Sequence, residues 1–451
     1  MRETVDARTI EAFQQQVRSP LITRSHAAYE DARRVWNGMI DRRPLLIAQP
    51  ESTSEVAAAV RFARERALPL SVKGGGHGVA GPAICEDGLV IDLCRLHAAH
   101  VDPAARTATI QGGARLRALD EAAQAHGLAT TAGIYGETGV AGLMLGGGLG
   151  LLMRRFGLTC DNLLAAEVVT ADGQVLEASA EQHPDLFWAL RGGGGNFGVV
   201  TRMDFQLHPL TYVVGGRITF DFADVEELGK VHQEVLTDAP DDVQVYLSYA
   251  TGEAGAKSAS VVLCHSGERA AGEAIAERFR RVGQPLADDL SWRPYLRVQQ
   301  QWDDAFPHGI LTFWKSNFLA TISEDALRVC QEAIRRQSLP GCGIDMEGMG
   351  GAVSRVAPDA TPFADRDAAS TLIITSGWRG PHESEARIAW VRETWTAAQP
   401  FARPSAYVNY LDHDDAHRLA AVYGPNHQRL VAVKRAYDPD NVFRHNANIR
   451  P

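Results

Sequence analysis

The chain has no Cys-x-x-Cys pair, no hydrophobic run long enough to span a bilayer and no excess of positive charge. Each absence removes a class of protein. The cysteines at 85, 94, 160, 264, 330 and 342 lack zinc or redox spacing, and a 451-residue chain needs no covalent staples. Reduced thiols are therefore expected in place of a disulfide framework. The N-terminus, MRETVDARTI, lacks the apolar segment of a signal peptide. With no spanning segment, this predicts a cytoplasmic protein without a membrane partner. A formal net charge of −10 argues against nucleic acid, whose phosphates attract basic patches. There is no Gly-x-Ser-x-Gly motif and no cysteine-nucleophile signature, so neither hydrolase class has support.

What the chain concentrates is glycine. SVKGGGHGVAG, Ser71–Gly81, sets five glycines around one histidine directly after an apolar run. GETGVAGLMLGGGLG (136–150) and RGGGGNFG (191–198) repeat the texture. All three lie in a first zone, 1–208, where PLLIAQP, LPLSVK, GLVIDL and TATIQGG read as strands. Ser52-x-x-Glu55 reads as a capping box ahead of Val56, Ala59, Val60 and Ala63 on one helical face. AAEVVTADGQVLEAS is a strand, an Asp-Gly turn and a strand.

The middle zone, 209–404, alternates with period two. In VQVYLSYA, Val243, Val245, Leu247 and Tyr249 face one way. SASVVLCHSG, ILTFWKSNFLA, IDMEGMGGAVSRV and STLIITSGW read as further strands, with amphipathic helices near 271–282 and 324–337 between them. This pattern predicts an antiparallel sheet covered on one face, with the other free for a ligand. The tail, 405–451, holds two short helices and ends in YDPDNVFRHNANIRP, where Tyr437 and Phe443 predict docking on the rest of the molecule.

Two glycine segments fit Gly-x-Gly-x-x-Gly, at 76–81 and 193–198. A strand follows each where a dinucleotide fold requires a helix, so a nicotinamide site is not expected. Successive backbone N–H groups in side-chain-free turns still form an anion nest. Three such runs in one zone suit an extended ligand containing a pyrophosphate, while close strand packing would use the same glycines. HDDAH (413–417) has two histidines one helical turn apart. Without a third ligand it reads as an acidic helix start, and no metal is expected.

The segments GGGHGVAG, TAGIYGETGVAGLMLGGGLGLLMRRFGLTCDNL, DLFWALRGGGGNFGVVT, WKSNF, GGAVSRVAPDATPFADR, YVNYLD and RLVAVKRAYDPDNVFRHNANI together resemble the FAD-linked oxidases of the vanillyl-alcohol-oxidase superfamily. Within it they resemble the berberine-bridge-enzyme-like group, with bacterial 6-hydroxynicotine oxidases as near relatives. The resemblance runs almost end to end. It implies an α+β fold with two lobes: an FAD-binding lobe from 1–208 plus 405–451, and a substrate lobe from 209–404.

The resemblance also implies FAD attached covalently through an 8α bond to His77, raising the flavin's potential by withdrawing electron density. A second cysteinyl link, frequent in the group, has no counterpart because Tyr135 stands at the matching position, so a single attachment is expected. Further cofactor contacts carried over fall on Lys73, Gly74, Gly75, Gly76 and Gly78. In the second run they fall on Tyr135, Thr138, Gly139, Gly142, Gly146 and Gly148. Cys160, Asn162, Val199, Val200, Asn446 and Asn448 complete the set, Cys160 as a small apolar neighbour of the flavin.

Thr138 matches a gate for oxygen, and its small side chain implies O2 as electron acceptor. Tyr410 matches a catalytic base, although a core aromatic with a satisfied hydroxyl would look the same. Glu347 and Lys315 are further candidates, each equally readable as half of a rim ion pair. Asp365-Arg366 departs from the His-Arg frequent in the group, so no substrate contact is inferred from that loop. The implied reaction is hydride transfer from a small-molecule alcohol, amine or phenol to FAD, with hydrogen peroxide released, by a monomer or homodimer. An oxygenase storing an oxygenated flavin, or a flavin or ligand binder without turnover, would carry much the same motifs.

Overall fold

The computed structural model describes residues 5–305 and 307–451. Apolar runs in the first zone are short and uninterrupted, which suits strands buried on both faces. Leu46–Ala48, Leu70–Lys73 and Leu89–Asp92 form a parallel set, with Ile22–Thr23 antiparallel at one edge. Helix Thr53–Glu65 packs Val56, Ala59, Val60 and Ala63 into this core. Ser52 caps it by accepting from the Glu55 N–H at 3.4 Å. The capping box is only half formed. The Glu55 carboxylate accepts from the N–H groups of Glu51 and Arg18 instead.

A second, antiparallel sheet runs Ala99–Asp102, Thr107–Gln111, Val199–Gln206, Leu163–Val169, Val175–Ser179. Its last two strands are the expected hairpin, turned at Gly173, whose φ of +78° suits glycine. Neither glycine motif opens a helix. The first joins parallel strands Leu70–Lys73 and Leu89–Asp92, and the second runs into Val199–Gln206.

The middle of the chain forms an eight-stranded antiparallel sheet. Its strands include Tyr212–Asp221, Val243–Thr251, Lys257–His265, Leu311–Leu319, Cys342–Glu347 and Ser370–Trp378. Val243, Val245, Leu247 and Tyr249 join Val261, Ile344 and Ile374 in one core. The covering helices are Val225–Asp238, Arg269–Arg280, Glu324–Arg336 and Ser384–Ala398, which send Leu228, Phe279, Ile334 and Val391 into it. Each such side chain contributes about 1.5–3 kcal/mol of apolar burial.

The alternate residues face the other way. Tyr246, Val262, Cys264 and Phe318 pack into the core of the first lobe, so the open face of the sheet is seated on that lobe over part of its area. The segment 344–356, expected as one strand, is strand only as far as Glu347. Gly350 and Gly351 take φ of +100° and +59°, and a short helix, Ala352–Arg355, follows. A Cβ on either glycine would run into Arg154 of the first lobe.

The tail docks on the third glycine run. Asn196 donates to the carbonyl of Ala447 and accepts from the N–H of Ile449, both at 3.0 Å. Lys434, fully buried, donates to Asp438 at 2.6 Å and to the carbonyls of Asn196 and Phe443.

Candidate functional site

Between the glycine runs and the open face of the sheet lies a cavity of about 1520 Å³. Pockets for one drug-sized ligand run to roughly 300–1,000 Å³, so this one has room for a large ligand and a second, smaller one. One wall is backbone. Gly74, Gly75, Gly76, Gly78, Gly139, Gly142, Gly194 and Gly195 line it. Gly75 and Gly139 pack back to back, and a Cβ on either would run into the backbone of the other. A Cβ on Gly142 or Gly195 would meet nothing within 4 Å. These two glycines therefore open the wall where the first pair closes the loops on each other.

His77 projects into the cavity with its ring between two aromatics. Trp36 stacks on it at 4.4 Å between centroids and 21° between planes, and Tyr135 lies 4.8 Å away on a tilted plane. Its Nε2 is buried and has no hydrogen-bond partner among the described residues. Desolvation, with His308 and Arg115 nearby, pulls its pKa down to about 3. The ring is therefore a neutral imidazole at neutral pH, with one nitrogen free to bond.

The opposite wall is built of side chains. The register pairs Tyr246 with Glu347 and Ser248 with Asp345 across adjacent strands, and all four reach the cavity. Tyr410, from the tail, donates its hydroxyl to Glu347 Oε1 at 3.1 Å, and Thr371 donates to Oε2 at 3.0 Å. The Tyr410 ring meets Tyr407 and Trp314 edge-on, at 4.8 and 5.6 Å. Burial pushes the Glu347 carboxyl up to about 7, although both donors favour its charged form. Burial and the adjacent Glu347 charge hold the Tyr410 phenol well above its ordinary value.

The tail also fixes the second glycine run. Asn409 donates to the carbonyls of Gly142 and Leu143 and to the Tyr407 hydroxyl, which accepts from the Gly148 N–H at 3.0 Å.

Of the residues singled out in the sequence, the structure brings Gly74, Gly75, Gly76, His77, Gly78, Tyr135, Thr138, Gly139, Gly142, Val199, Val200, Glu347, Tyr410, Asn446 and Asn448 to this cavity. Five others stand behind its wall. Lys73 donates to the carbonyl of Ala32 at 2.9 Å and pairs with Asp92. Gly146 lies against Asn409 and Gly148 against Thr159. Cys160 is fully buried in the apolar core, which raises its thiol pKa. Asn162 donates to the carbonyls of Phe156 and Leu158 and meets His208 at 2.7 Å. These five support the site and do not line it.

Lys315 sits on the helix-covered face of the sheet, paired with Asp414 and, at 3.0 Å, with Asp415. Asp365-Arg366 also faces away from the cavity. Arg366 grips Asp161 with two hydrogen bonds of 2.6 and 2.8 Å, and Arg403 pairs with Asp365. The side chain of His413, in HDDAH, lies outside the described residues. Among the described residues no group of His, Cys, Asp and Glu is placed to hold a metal ion, and no helix is long and apolar enough to cross a membrane.

Sequence reading missed Trp36 and Asp345. Asp345 was visible in principle, since period two in IDME puts it on the face of Glu347. Trp36 carries no such signal. It precedes the histidine by 41 positions and reaches it only through the fold.

A family model described as an FAD binding domain matches residues 44–179, and one described as berberine and berberine like matches 406–450. (R)-6-hydroxynicotine oxidase from Paenarthrobacter nicotinovorans is 33% identical over 452 residues, covering 96% of this chain and 97% of the relative. The solved structure of 6-hydroxy-D-nicotine oxidase from Arthrobacter nicotinovorans superposes with a TM-score of 0.89 at 30% identity, over 96% of this chain and 98% of that one. Berberine bridge enzyme from Eschscholzia californica shares the fold, with a TM-score of 0.87 at 21% identity, over 99% of each chain.

The residues present fit an FAD. The glycine wall accepts a long ligand without side-chain obstruction. Buried oxygens of Asn446 and Asn448 and the Nε2 of His77 are left without partners among the described residues.

Proposed function

The chain belongs to the berberine-bridge-enzyme-like family of FAD-linked oxidoreductases, and from that premise we propose that it is an oxidase of a small-molecule alcohol, amine or phenol. FAD is held by the glycine runs and attached once, through His77. Asn446 and Asn448 bind the cofactor from the tail. When bound, the flavin supplies a two-electron acceptor that dioxygen can reoxidise with release of hydrogen peroxide. Thr138, at the cavity wall, leaves space for dioxygen.

The observation that carries this reading is the hydrogen bond between Tyr410 and Glu347 inside the cavity, at 3.1 Å. A substrate O–H or N–H must lose its proton as hydride leaves the adjacent carbon. The phenol of Tyr410 is held protonated, whereas Glu347 titrates at about 7. Glu347 is therefore the proton acceptor, and Tyr410 passes the proton on: its oxygen takes the substrate proton while its own moves to Oε1. Tyr246, Trp302 and Trp314 line the same cavity, which favours an aromatic substrate. The name of the Paenarthrobacter relative makes hydroxylated N-heterocycles one class to try.

The test is anaerobic mixing of the yellow protein with a panel of aromatic alcohols, secondary amines and hydroxylated heterocycles. A substrate bleaches the colour, and air restores it with one peroxide per turnover. Bleaching without peroxide on re-aeration would replace the oxidase reading with an oxygenase or dehydrogenase. A protein that binds panel members and never bleaches would be a binder.

A further inference from the structure

The segment Trp36-Asn37-Gly38 ties the histidine loop to the substrate lobe. The N–H of Trp36 donates to the carbonyl of Gly76, and the carbonyl of Trp36 accepts from Gly309, both at 3.0 Å. Gly38 donates to the carbonyl of Ile310 at 2.9 Å. Asn37, only 3% exposed, donates to the carbonyls of Val79 at 2.8 Å and Thr312 at 2.9 Å, and its Oδ1 accepts from the N–H of Thr312 at 3.1 Å. The carbonyls of Gly76 and Val79 flank His77, and Trp36 lays its ring on the imidazole. The histidine loop is thus clamped on backbone and ring by a strap anchored on the edge strand Leu311–Leu319 of the substrate lobe.

We propose that Trp36 and Asn37 are positioning residues for flavin attachment, holding the His77 imidazole in line with the flavin 8-methyl carbon. This rests on the attachment through His77 proposed above. The glycines beside His77 leave its loop soft, since they lose more freedom on ordering than other residues do. An aromatic stack on one ring face and two carbonyl anchors remove that freedom before the cofactor arrives. Stacking fixes the ring plane, and the anchors fix its depth in the cavity. Bond formation replaces a methyl C–H by C–N. The imidazole nitrogen would bond through its lone pair, the methyl carbon and the other ring nitrogen would each give up a proton, and dioxygen would take the electron pair left on the cofactor and both protons as hydrogen peroxide. Placement errors of about 1 Å cost on the order of 100-fold in such a step.

The full-length chain is produced under riboflavin limitation and mixed with FAD in air. Flavin retained in the acid precipitate is followed over time beside total bound flavin before acid. Trp36→Leu is expected to bind FAD reversibly as the wild type does and to attach it about 100-fold more slowly. Trp36→Phe restores most of the rate, and Asn37→Ala falls between. A purely structural role would lower reversible binding and attachment together. Attachment at wild-type rate in Asn37→Ala overturns the proposal whether or not Trp36→Leu folds, as does wild-type attachment in Trp36→Leu. His77→Ala separates the two readings. Persistent acid-stable flavin in that variant sinks the attachment itself, whereas its loss in His77→Ala alone sinks only the strap.

Discussion

The two walls of the cavity are made by opposite means. The glycine wall presents backbone, and side chains are removed so that chain and ligand can approach. The sheet wall presents every second side chain of strands whose other residues hold four helices. The first wall tolerates almost no added atom where loops meet, because Gly75 and Gly139 touch backbone to backbone. The second tolerates exchange of side chains so long as the covered face is kept, which is how one scaffold can serve different substrates. One wall is therefore written into backbone, and the other into a handful of side chains.

That contrast can be broken or sharpened by substitution. His77→Ala should abolish acid-stable colour completely, read as flavin in the precipitate, while reversible binding by the glycine wall persists.

On the sheet wall, Glu347→Gln should lower kcat by about 10²–10⁴-fold. The wild-type rate should rise with pH through about 7, where the carboxyl loses its proton, and the Gln variant should lack this acid limb. Stability has the opposite sign. The folded carboxyl holds its proton more tightly than an ordinary one at 4.5, so its contribution is full below that pH and is lost as pH rises through about 7. Unfolding midpoints across this window should fall in the wild type and flatten in Glu347→Gln. Tyr410→Phe removes the relay and a donor to the charged carboxylate, so kcat should fall and the acid limb of the residual kcat/KM should move to higher pH.

The covered face should respond chiefly in stability. Lys315→Met strips the cation from the buried Asp415, which is 1% exposed and borders the cavity, and should cost about 3–5 kcal/mol in denaturant melts. Arg418, also bonded to Asp415, limits the loss.

The smallest effect is expected at Gly142. It lies in helix Val140–Leu145 with nothing within 4 Å of a built Cβ. Gly142→Ala should gain up to about 1 kcal/mol for the flavin-free fold and yet weaken retention of flavin, measured by dialysis in a His77→Ala background. Equal retention would mean that the wall is not shaped around a ligand at this point.

Much of this architecture could be read in one dimension because it rests on local rules. Alternation in VQVYLSYA separates Val245 and Leu247 from Tyr246 and Ser248, and the structure keeps that division. The strand contexts of the glycine motifs excluded a helix-opening dinucleotide turn, and no helix is found there. Local rules failed where distant chain intervened. The strand expected beyond Glu347 is broken by Gly350 and Gly351 because Arg154 of the other lobe occupies the space beside them. The resemblance, by contrast, carried cofactor contacts onto Cys160 and Asn162, whose side chains go to the core and to backbone carbonyls four and six residues away. Lys315 shares a strand with Trp314 and points the other way, since a strand turns successive residues to opposite faces.

By itself the sequence determined the secondary-structure grammar and the residues free of side chains, because periodicity and glycine act through steric rules within a few positions; the family was legible only through resemblance, in long motifs spread along the chain. Only the tertiary structure decided that Glu347 titrates near neutrality, that Tyr410 keeps its proton and that Trp36 lies on His77. Those properties depend on desolvation and contact between segments tens to hundreds of residues apart, and no local pattern encodes a dielectric or a distance.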